Sequence, residues 1–297
     1  MKIGFSSLVC PSWDLHTIVA NAAKLGFDGV ELRGVRGELN LPLVPEVAGK
    51  PEDVRKLFSE HNVELVCLGS SVSFDSRNRT DVARQKATLT EYIELAAKLG
   101  CPFVRLFTGE VQRRDHLRAA QTRIAEALIS VAPIALRHRV TLLIENGGDF
   151  PGSVASWFLV DAADSPAVGA CWNQCIGMTA GERATTSLPR LGLRIGMMHM
   201  CDATFDERGL LQDYKPLGEG HVEVAHQIDL LKGMAYDRYL MFEWPKLWDA
   251  SLAAPETILP GVAKFLRERI DAKQNVLTAY KGDKYPTRFA TPAATGG

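Results

Sequence analysis

The chain has 297 residues, 46% of them hydrophobic, which is enough to bury a sizeable core. Its 34 Lys and Arg residues balance 35 Asp and Glu residues, and the formal net charge of -1 excludes the basic excess typical of proteins that bind nucleic acid or anionic membranes. Six cysteines without a CxxC pair, and no apolar run of membrane-spanning length, predict a cytoplasmic protein with reduced, buried thiols.

Short β-rich runs alternate with helical patterns along the chain. The opening stretch "MKIGFSSLVC" has no long apolar run before Ser12, so it predicts a first strand and not a signal peptide. Apolar and β-branched runs bounded by turn residues predict eight strands in all. They cover residues 3–7, 29–34, 65–71, 103–109, 141–146, 168–174, 196–203 and 239–245.

Between these runs, apolar residues recur three or four positions apart, as they do on the inner face of a helix. Gly26 is predicted to end the first helix, and Pro255 to lie in the first turn of the last one. Eight strand-helix units with continuously apolar strands predict a single-domain (β/α)8 TIM barrel over residues 1–272. An open doubly wound sheet is the alternative, but no Gly-rich phosphate-binding motif follows the first strand.

The segment 273–297 loses the helical period and ends in "RFATPAATGG". This pattern predicts a partly flexible C-terminal extension, with the stretch around Tyr280 and Tyr285 able to pack against the barrel or a partner. Both a homo-oligomer and a complex with another protein stay open.

Polar residues end several of the apolar runs, at the barrel edge where the βα loops converge and where chemistry is expected. These residues are Glu31, Ser70, Glu145, Asn173, His199, Asp202 and Glu243. Glu145, Asn173, His199 and Glu243 come from four consecutive strands, so they can surround one divalent cation. Such an oxygen-rich set suits Mn²⁺ or Mg²⁺ better than a thiolate-dominated zinc site does.

A cation held by two carboxylates can bind the carbonyl and neighbouring hydroxyl of a sugar and stabilise the enediolate that forms when a proton leaves. The two carboxylates can then take and return that proton. Return to the same carbon from the other face gives an epimer, and return to the neighbouring carbon gives an aldose-ketose isomer.

Six motifs carry a resemblance to a known family. They are "GFDGVELRG", "YIELAAKLGCPFVRLF", "VTLLIEN", "MHMCDA", "YKPLGEGHV" and "MFEWPKLW". On these, residues 1–272 resemble the sugar phosphate isomerase/epimerase family with the xylose isomerase-like TIM-barrel fold. The resemblance implies a small sugar or sugar-derived substrate, one divalent ion bound by Glu145, Asn173, His199 and Glu243, and Glu145 with Glu243 as the acid/base pair.

The chain departs from the family pattern near the expected metal. Family members usually have an Asp where this chain has Asn173, often followed within a few residues by a His. Gly147 stands where relatives often have another His. Losing a carboxylate lowers the expected metal affinity, although an amide oxygen can still bind a hard cation.

These departures leave three functions open. The first is a metal-dependent isomerase or epimerase, and the second is a keto-cyclitol dehydratase, which starts with the same proton removal. The third is a catalytically degenerate barrel that binds a sugar or serves as a subunit of a complex. Related trinuclear-zinc DNA repair endonucleases are disfavoured, because the other histidines fall in helical stretches.

Four further residues are candidates for substrate contacts, together with Glu31, Ser70 and Asp202. They are Glu219, His221, Trp244 and Lys246. Arg105 is predicted to lie inside the barrel as an ion-pair partner of Glu31.

Overall fold

A computed structural model describes residues 1–272, and the C-terminal extension predicted for 273–297 lies outside the described residues. The strands are β1 (Lys2–Ser6), β2 (Gly29–Leu32), β3 (Glu64–Gly69), β4 (Phe103–Phe107), β5 (Thr141–Glu145), β6 (Val168–Asn173), β7 (Ile195–Met200), β8 (Asp202–Phe205), β9 (Leu211–Lys215) and β10 (Tyr239–Phe242). Strands β1 to β7 and β10 form a closed parallel barrel. The eight predicted strands are confirmed, and the open sheet is excluded because β1 pairs with both β2 and β10.

Helices surround the barrel. They are α1 (Leu15–Lys24), α2 (Pro45–Ala48), α3 (Pro51–Glu60), α4 (Arg79–Leu99), α5 (Leu117–His138), α6 (Ser153–Ala163), α7 (Gln174–Thr179), α8 (Ala184–Leu191), α9 (Val224–Gly233) and α10 (Pro255–Asp271). The predicted helix ends are confirmed: Pro255 opens α10, and Gly26, with φ of 76°, follows the end of α1 in a conformation that glycine adopts without strain.

Alternate residues of each barrel strand face the interior, and this face changes from apolar to polar along the strands. Leu143, Cys171, Met197 and Met241 belong to one buried cluster inside the barrel. Two residues further along the chain from these four stand Glu145, Asn173, His199 and Glu243, the last of them directly after β10. A packed apolar layer therefore lies directly beneath the polar residues at the C-terminal end of the barrel.

The sequence pattern missed one hairpin. The chain leaves the barrel after Met200, and β8 and β9 pair antiparallel outside it, whereas the predicted strand ran from 196 to 203. Asp206 accepts hydrogen bonds from the backbone N–H groups of Arg208 and Leu210 at 2.9 and 2.8 Å, which stabilises the turn. Strand β9 has the sequence "LQDYK", which contains no apolar run, so the sequence pattern did not predict it.

Two other sequence expectations concern single features of the described residues. All six cysteines lie in residues 1–272, are buried and form no disulfide. Within the same residues, no helix is both long enough and apolar enough to cross a membrane.

The tight barrel interior yields a stability test at Gly4 of β1. A Cβ atom there would lie 2.6 Å from the carbonyl oxygen of Gly29 and 2.9 Å from the Met241 side chain. We expect Gly4→Ala to lower the free energy of unfolding by about 1–3 kcal/mol in urea denaturation, because backbone cannot move aside cheaply. Gly261→Ala is the control: at this exposed position of α10 a Cβ would meet nothing within 4 Å, so stability should stay equal or rise. Equal stability of both variants would contradict the packing argument.

Candidate active site

Four side chains from consecutive strands meet above the apolar layer of the barrel. His199 Nδ1 lies 2.7 Å from Glu145 Oε1 and 3.6 Å from Glu243 Oε1. Asn173 Nδ2 lies 2.8 Å from Glu243 Oε2 and 3.5 Å from Glu145 Oε1. The structure thus brings together the four residues proposed from the sequence as metal ligands. Two carboxylates flank an imidazole and an amide.

The amide of Asn173 is oriented by its position at the start of a helix. Asn173 is the N-cap of α7, and its Oδ1 accepts hydrogen bonds from the Ile176 N–H and the Cys201 thiol, each at 3.3 Å. Because both partners are donors, the oxygen must face them and the NH₂ group must face the carboxylates. An aspartate could cap the helix with one oxygen and offer the other to a cation. An asparagine in this orientation offers only N–H donors.

His199 is held from its other side by Glu31. Glu31 Oε2 lies 3.1 Å from His199 Nε2, and both side chains are fully buried. With the Nε2 proton bound to Glu31, Nδ1 is left to face Glu145 and Glu243. Metal-binding histidines in proteins are commonly oriented by such a carboxylate.

A divalent ion therefore fits three of the four expected ligands. The ligand atoms of Glu145, His199 and Glu243 converge, and the Glu31 contact orients His199 for this role once the ion replaces the proton on its Nδ1. Asn173 would have to turn its amide and give up both hydrogen bonds to its oxygen. Cys171 is an alternative donor, since its sulfur and ligand atoms of Glu145 and His199 all lie within 4.8 Å of one another.

Arg105 supplies the positive charge beneath the carboxylates, and its predicted pairing with Glu31 is confirmed. Its Nε lies 3.2 Å from Glu145 Oε2 and 3.6 Å from Glu31 Oε1. Ser70 holds it in place, since the Ser70 carbonyl accepts from Arg105 Nη1 at 2.9 Å and the Ser70 hydroxyl donates to the Arg105 carbonyl at 2.7 Å. Ser70 thus contacts Arg105 directly.

The charges of Arg105 and His199 keep two carboxylates ionised. Burial opposes the charged form of Glu31, but the positive charges of His199 and Arg105 outweigh it and lower its pKa to about 2. The same competition, again with burial opposing, lowers the pKa of Glu145. Both groups are therefore carboxylates at neutral pH.

Glu243 has the opposite electrostatic environment. Burial and the negative charges of Glu145 and Glu31 raise its pKa to about 7, although His199 and Arg105 lower it. The pKa of His199 is raised: burial disfavours the imidazolium, but Cys171 and the surrounding carboxylates favour it more strongly. Glu145 therefore loses its proton easily, whereas Glu243 retains a proton near neutral pH.

The remaining candidates lie around this centre in structural positions. Asp202 accepts hydrogen bonds from the backbone N–H groups of Gly218, Gly220 and Val222 at 2.9–3.0 Å, which anchors the "GEG" loop beside the barrel. Glu219 and His221 are exposed on this loop, and His221 Nδ1 accepts from the Phe205 N–H. Their substrate contacts stay predictions.

The β10–α10 loop carries the last two candidates. Trp244 is buried, stacks on Phe242 with ring centroids 5.8 Å apart and donates to the Ala253 carbonyl. The ammonium group of Lys246 binds the carbonyls of Ala250 and Leu252 at 3.1 and 2.6 Å. Both side chains therefore stabilise the loop, and contacts of either with a substrate stay predictions.

Sequence reasoning overlooked Cys171 and Arg33 among the residues around this centre. Each stands two positions from a recognised candidate on its chain segment, Cys171 before Asn173 and Arg33 after Glu31. The period-two rule for strands would have marked both as neighbours of the site, but one looked like an apolar core residue and the other like a surface charge.

The family model for the xylose isomerase-like TIM barrel matches residues 19–269. The chain belongs to the xylose isomerase-like TIM barrel family. The predicted family resemblance and barrel fold are thereby confirmed. A search of curated proteins found no match.

Solved structures with the same fold include epimerases and a probable dehydratase. L-ribulose 3-epimerase is 18% identical with a TM-score of 0.76, covering 96% of this chain and 99% of its own. The IOLI protein with a binding zinc atom is 17% identical with a TM-score of 0.78, covering 91% and 98%. The probable 3-DHS dehydratase AsbF from Bacillus anthracis is 16% identical with a TM-score of 0.75, covering 90% and 99%. At these identities the similarity establishes the shared fold.

The raised pKa of Glu243 predicts a pH dependence of stability in the metal-free protein. Its folded pKa of about 7 exceeds the usual 4.5, so the folded state binds more protons than the unfolded state between these values. The free energy of unfolding should therefore fall as pH rises from 4.5 to 7, by about 3 kcal/mol at most from this group. Urea denaturation in EDTA should show that Glu243→Gln removes this decrease. Exposed Glu91→Gln should leave it unchanged; a decrease that persists in Glu243→Gln would refute the assignment.

The orientation of the Asn173 amide predicts a gain of metal affinity in Asn173→Asp. The new carboxylate can cap α7 and offer a second oxygen, so we expect at least about tenfold tighter Mn²⁺ binding by isothermal titration calorimetry. Asn78→Asp adds the same charge at the N-cap of α4 and should not change Mn²⁺ affinity. Equal affinity of Asn173→Asp and the native chain would contradict the argument from the amide orientation.

Proposed function

We propose that this protein is a cytoplasmic, divalent-metal-dependent isomerase or epimerase that acts on a sugar or keto-sugar derivative by proton transfer through an enediolate. The observation that carries the proposal is the pair Glu145 and Glu243, two carboxyl groups with opposite pKa shifts on either side of His199. Environments that separate the pKa values of neighbouring acids are typical of acid/base catalysis. The epimerases among the solved structures with the same fold support the same chemistry.

Glu145, His199 and Glu243 would hold the Mn²⁺ or Mg²⁺ ion. When bound, such an ion stabilises negative charge on neighbouring carbonyl and hydroxyl oxygens of a substrate. Glu31 orients His199, and Arg105 keeps Glu145 and Glu31 ionised beneath it. The IOLI structure with a binding zinc atom supports a bound metal in a protein of this fold.

The two carboxyl groups divide the proton transfer. Glu145 is ionised and suited to accept a proton from the carbon next to a carbonyl group. In the metal-free protein the pKa of Glu243 is raised to about 7, so this group can carry a proton on one Oε atom and return it to the carbon skeleton. Its side chain is 17% exposed, so it can also exchange that proton with water. Return from the opposite face produces the epimer.

Two other functions are favoured by separate observations. A dehydratase would use the same first proton removal, and the fold similarity to the probable dehydratase AsbF supports it. A non-catalytic sugar-binding or subunit barrel is supported by Asn173, whose amide oxygen is occupied by the helix cap. Product analysis distinguishes a dehydratase from an epimerase. Turnover by the isolated chain would exclude a non-catalytic barrel.

Solvent deuterium exchange tests the proposal. The native chain, supplied with Mn²⁺ and a panel of ketoses and aldoses in D₂O, should incorporate deuterium next to the carbonyl group of at least one sugar, as measured by mass spectrometry. Glu145→Gln and Glu243→Gln should each reduce the rate by at least about a hundredfold, because each variant lacks one partner of the transfer.

The control for this experiment is Glu91→Gln, which removes an exposed carboxylate from α4 and should retain the native rate. Circular dichroism should show that all three variants are folded. Exchange at the native rate in both active-site variants would refute the roles of Glu145 and Glu243. A product that has lost water and carries no deuterium next to the carbonyl group would identify a dehydratase.

A further inference from the structure

Among residues 1–272, Arg33 is a buried cation that forms no ion pair with a carboxylate. It follows β2 at the C-terminal end of the barrel and is only 3% exposed. One nitrogen, Nη2, donates to the Ser71 hydroxyl at 2.7 Å. The other, Nη1, is buried and has no hydrogen-bond partner among the described residues. No ion pair joins Arg33 to a carboxylate within residues 1–272.

Arg105 also retains unused donors close by. Its Nη1 donates to the Ser70 carbonyl, but its Nη2 is buried without a partner among the described residues. Phe107 covers the guanidinium, with the ring centroid 4.1 Å from Cζ. Glu31 and Glu145 lie on the Nε side of Arg105. Within residues 1–272, the Nη2 edge of the guanidinium therefore has no hydrogen-bond acceptor, although Arg105 is ion-paired through Nε.

Gly69 lets the two arginines come together. A Cβ atom on Gly69 would lie 2.8 Å from Arg33 Cδ and 3.0 Å from Arg105 Nη2, so both side chains fill the space that any larger residue would need. Glu31 Oε1 would lie 2.9 Å from the same atom, but Glu31 is already paired with His199 and Arg105. Two guanidinium groups thus meet in one buried volume, and the carboxylates beside them, Glu31 and Glu145, are already paired with Arg105.

We propose that Arg33 and Arg105 form an anion-binding subsite that holds a carboxylate or phosphate group of the substrate. Buried guanidinium groups are strongly destabilising without a counter-ion, and their N–H donors match the paired oxygens of these two anions. Burial and the neighbouring Arg105 charge lower the pKa of Arg33 to about 10, as expected for a cation that lacks an anion. The exposed Ser71 marks the side from which an anion would enter.

The subsite rests on the proposed function for its location, because it shares Arg105 with the proton-transfer centre. Arg105 contacts Glu145 through Nε and turns Nη2 towards Gly69. An anion bound to Arg105 would therefore lie near Glu145. The substrate class is then an acidic keto compound or a sugar phosphate, whereas a neutral sugar would leave Arg33 without an anion and Arg105 Nη2 without an acceptor.

Anion titration of the metal-free, full-length protein tests the subsite. Inorganic phosphate and acetate are titrated separately at constant ionic strength and followed by isothermal titration calorimetry. We expect one or both to bind with a dissociation constant of about 1 mM or tighter. Phosphate alone would indicate a phosphorylated substrate, and acetate binding as tightly as phosphate would indicate a carboxylate.

Variants of Arg33 distinguish the subsite from general charge effects. Arg33→Met should lower the affinity for the anion by at least about tenfold. Arg33→Lys, which keeps the charge but lacks the paired donors, should lower it by about threefold or more. Arg36→Met is the matched control, since Arg36 is exposed and paired with Asp14 and Glu46, and its affinity should stay within about twofold of native.

Thermal unfolding separates binding from a structural role of Arg33. Without anion, Arg33→Met should unfold at the native temperature or above it, because an unpaired buried charge has been removed. With phosphate or acetate, the native chain should gain more stability than Arg33→Met, because it binds the anion more tightly. The proposal is overturned if neither anion binds, if Arg33→Met and Arg33→Lys bind like the native chain, or if Arg33→Met loses stability equally with and without anion. Because these measurements need no turnover, failed deuterium exchange with intact anion binding would reject the proposed function alone.

Discussion

Three carboxylates share the upper interior of the barrel, and their compensation by Arg105 and His199 is the interaction on which the site depends. Barrel closure brings Glu31, Glu145 and Glu243 into one buried volume, where unpaired negative charges would be strongly unfavourable. Arg105 and His199 lie between them and keep two of the three ionised. The third, Glu243, is buried beside negative charges that are not fully compensated, so its pKa rises to about 7.

This imbalance links structure to chemistry. A centre with fully paired charges would have no group that gains and loses a proton near neutral pH. Here the excess carboxylate is Glu243, which is also the most exposed member of the cluster. The same residue can therefore respond to solvent, to a cation or to a substrate, while Glu31 and Glu145 stay ionised. A divalent ion would relieve the same excess by adding positive charge beside Glu243.

Asn173 shows how one local requirement can change a site. Its oxygen completes the first turn of α7, a role that aspartate and asparagine perform equally well. Only aspartate has a second oxygen to direct into the barrel. Exchanging aspartate for asparagine therefore leaves the helix cap intact but removes a ligand from the metal centre. The amide donates hydrogen bonds to Glu145 and Glu243 instead. These bonds stabilise the two carboxyl groups, but less strongly than a cation would, because the amide is uncharged. Arg33 illustrates the complementary case, a full charge without its expected partner.

The sequence by itself determined the barrel and the strand ends that carry Glu145, Asn173, His199 and Glu243, because apolar runs and helical spacing are local properties of the chain. It also predicted the pairing of Arg105 with Glu31. Only the tertiary structure decided which way the Asn173 amide points, that Lys246 binds loop carbonyls, and that Arg33 and Arg105 meet across Gly69. These facts depend on contacts between residues far apart in the chain, on backbone groups that no residue letter records, and on which charges remain unpaired after folding.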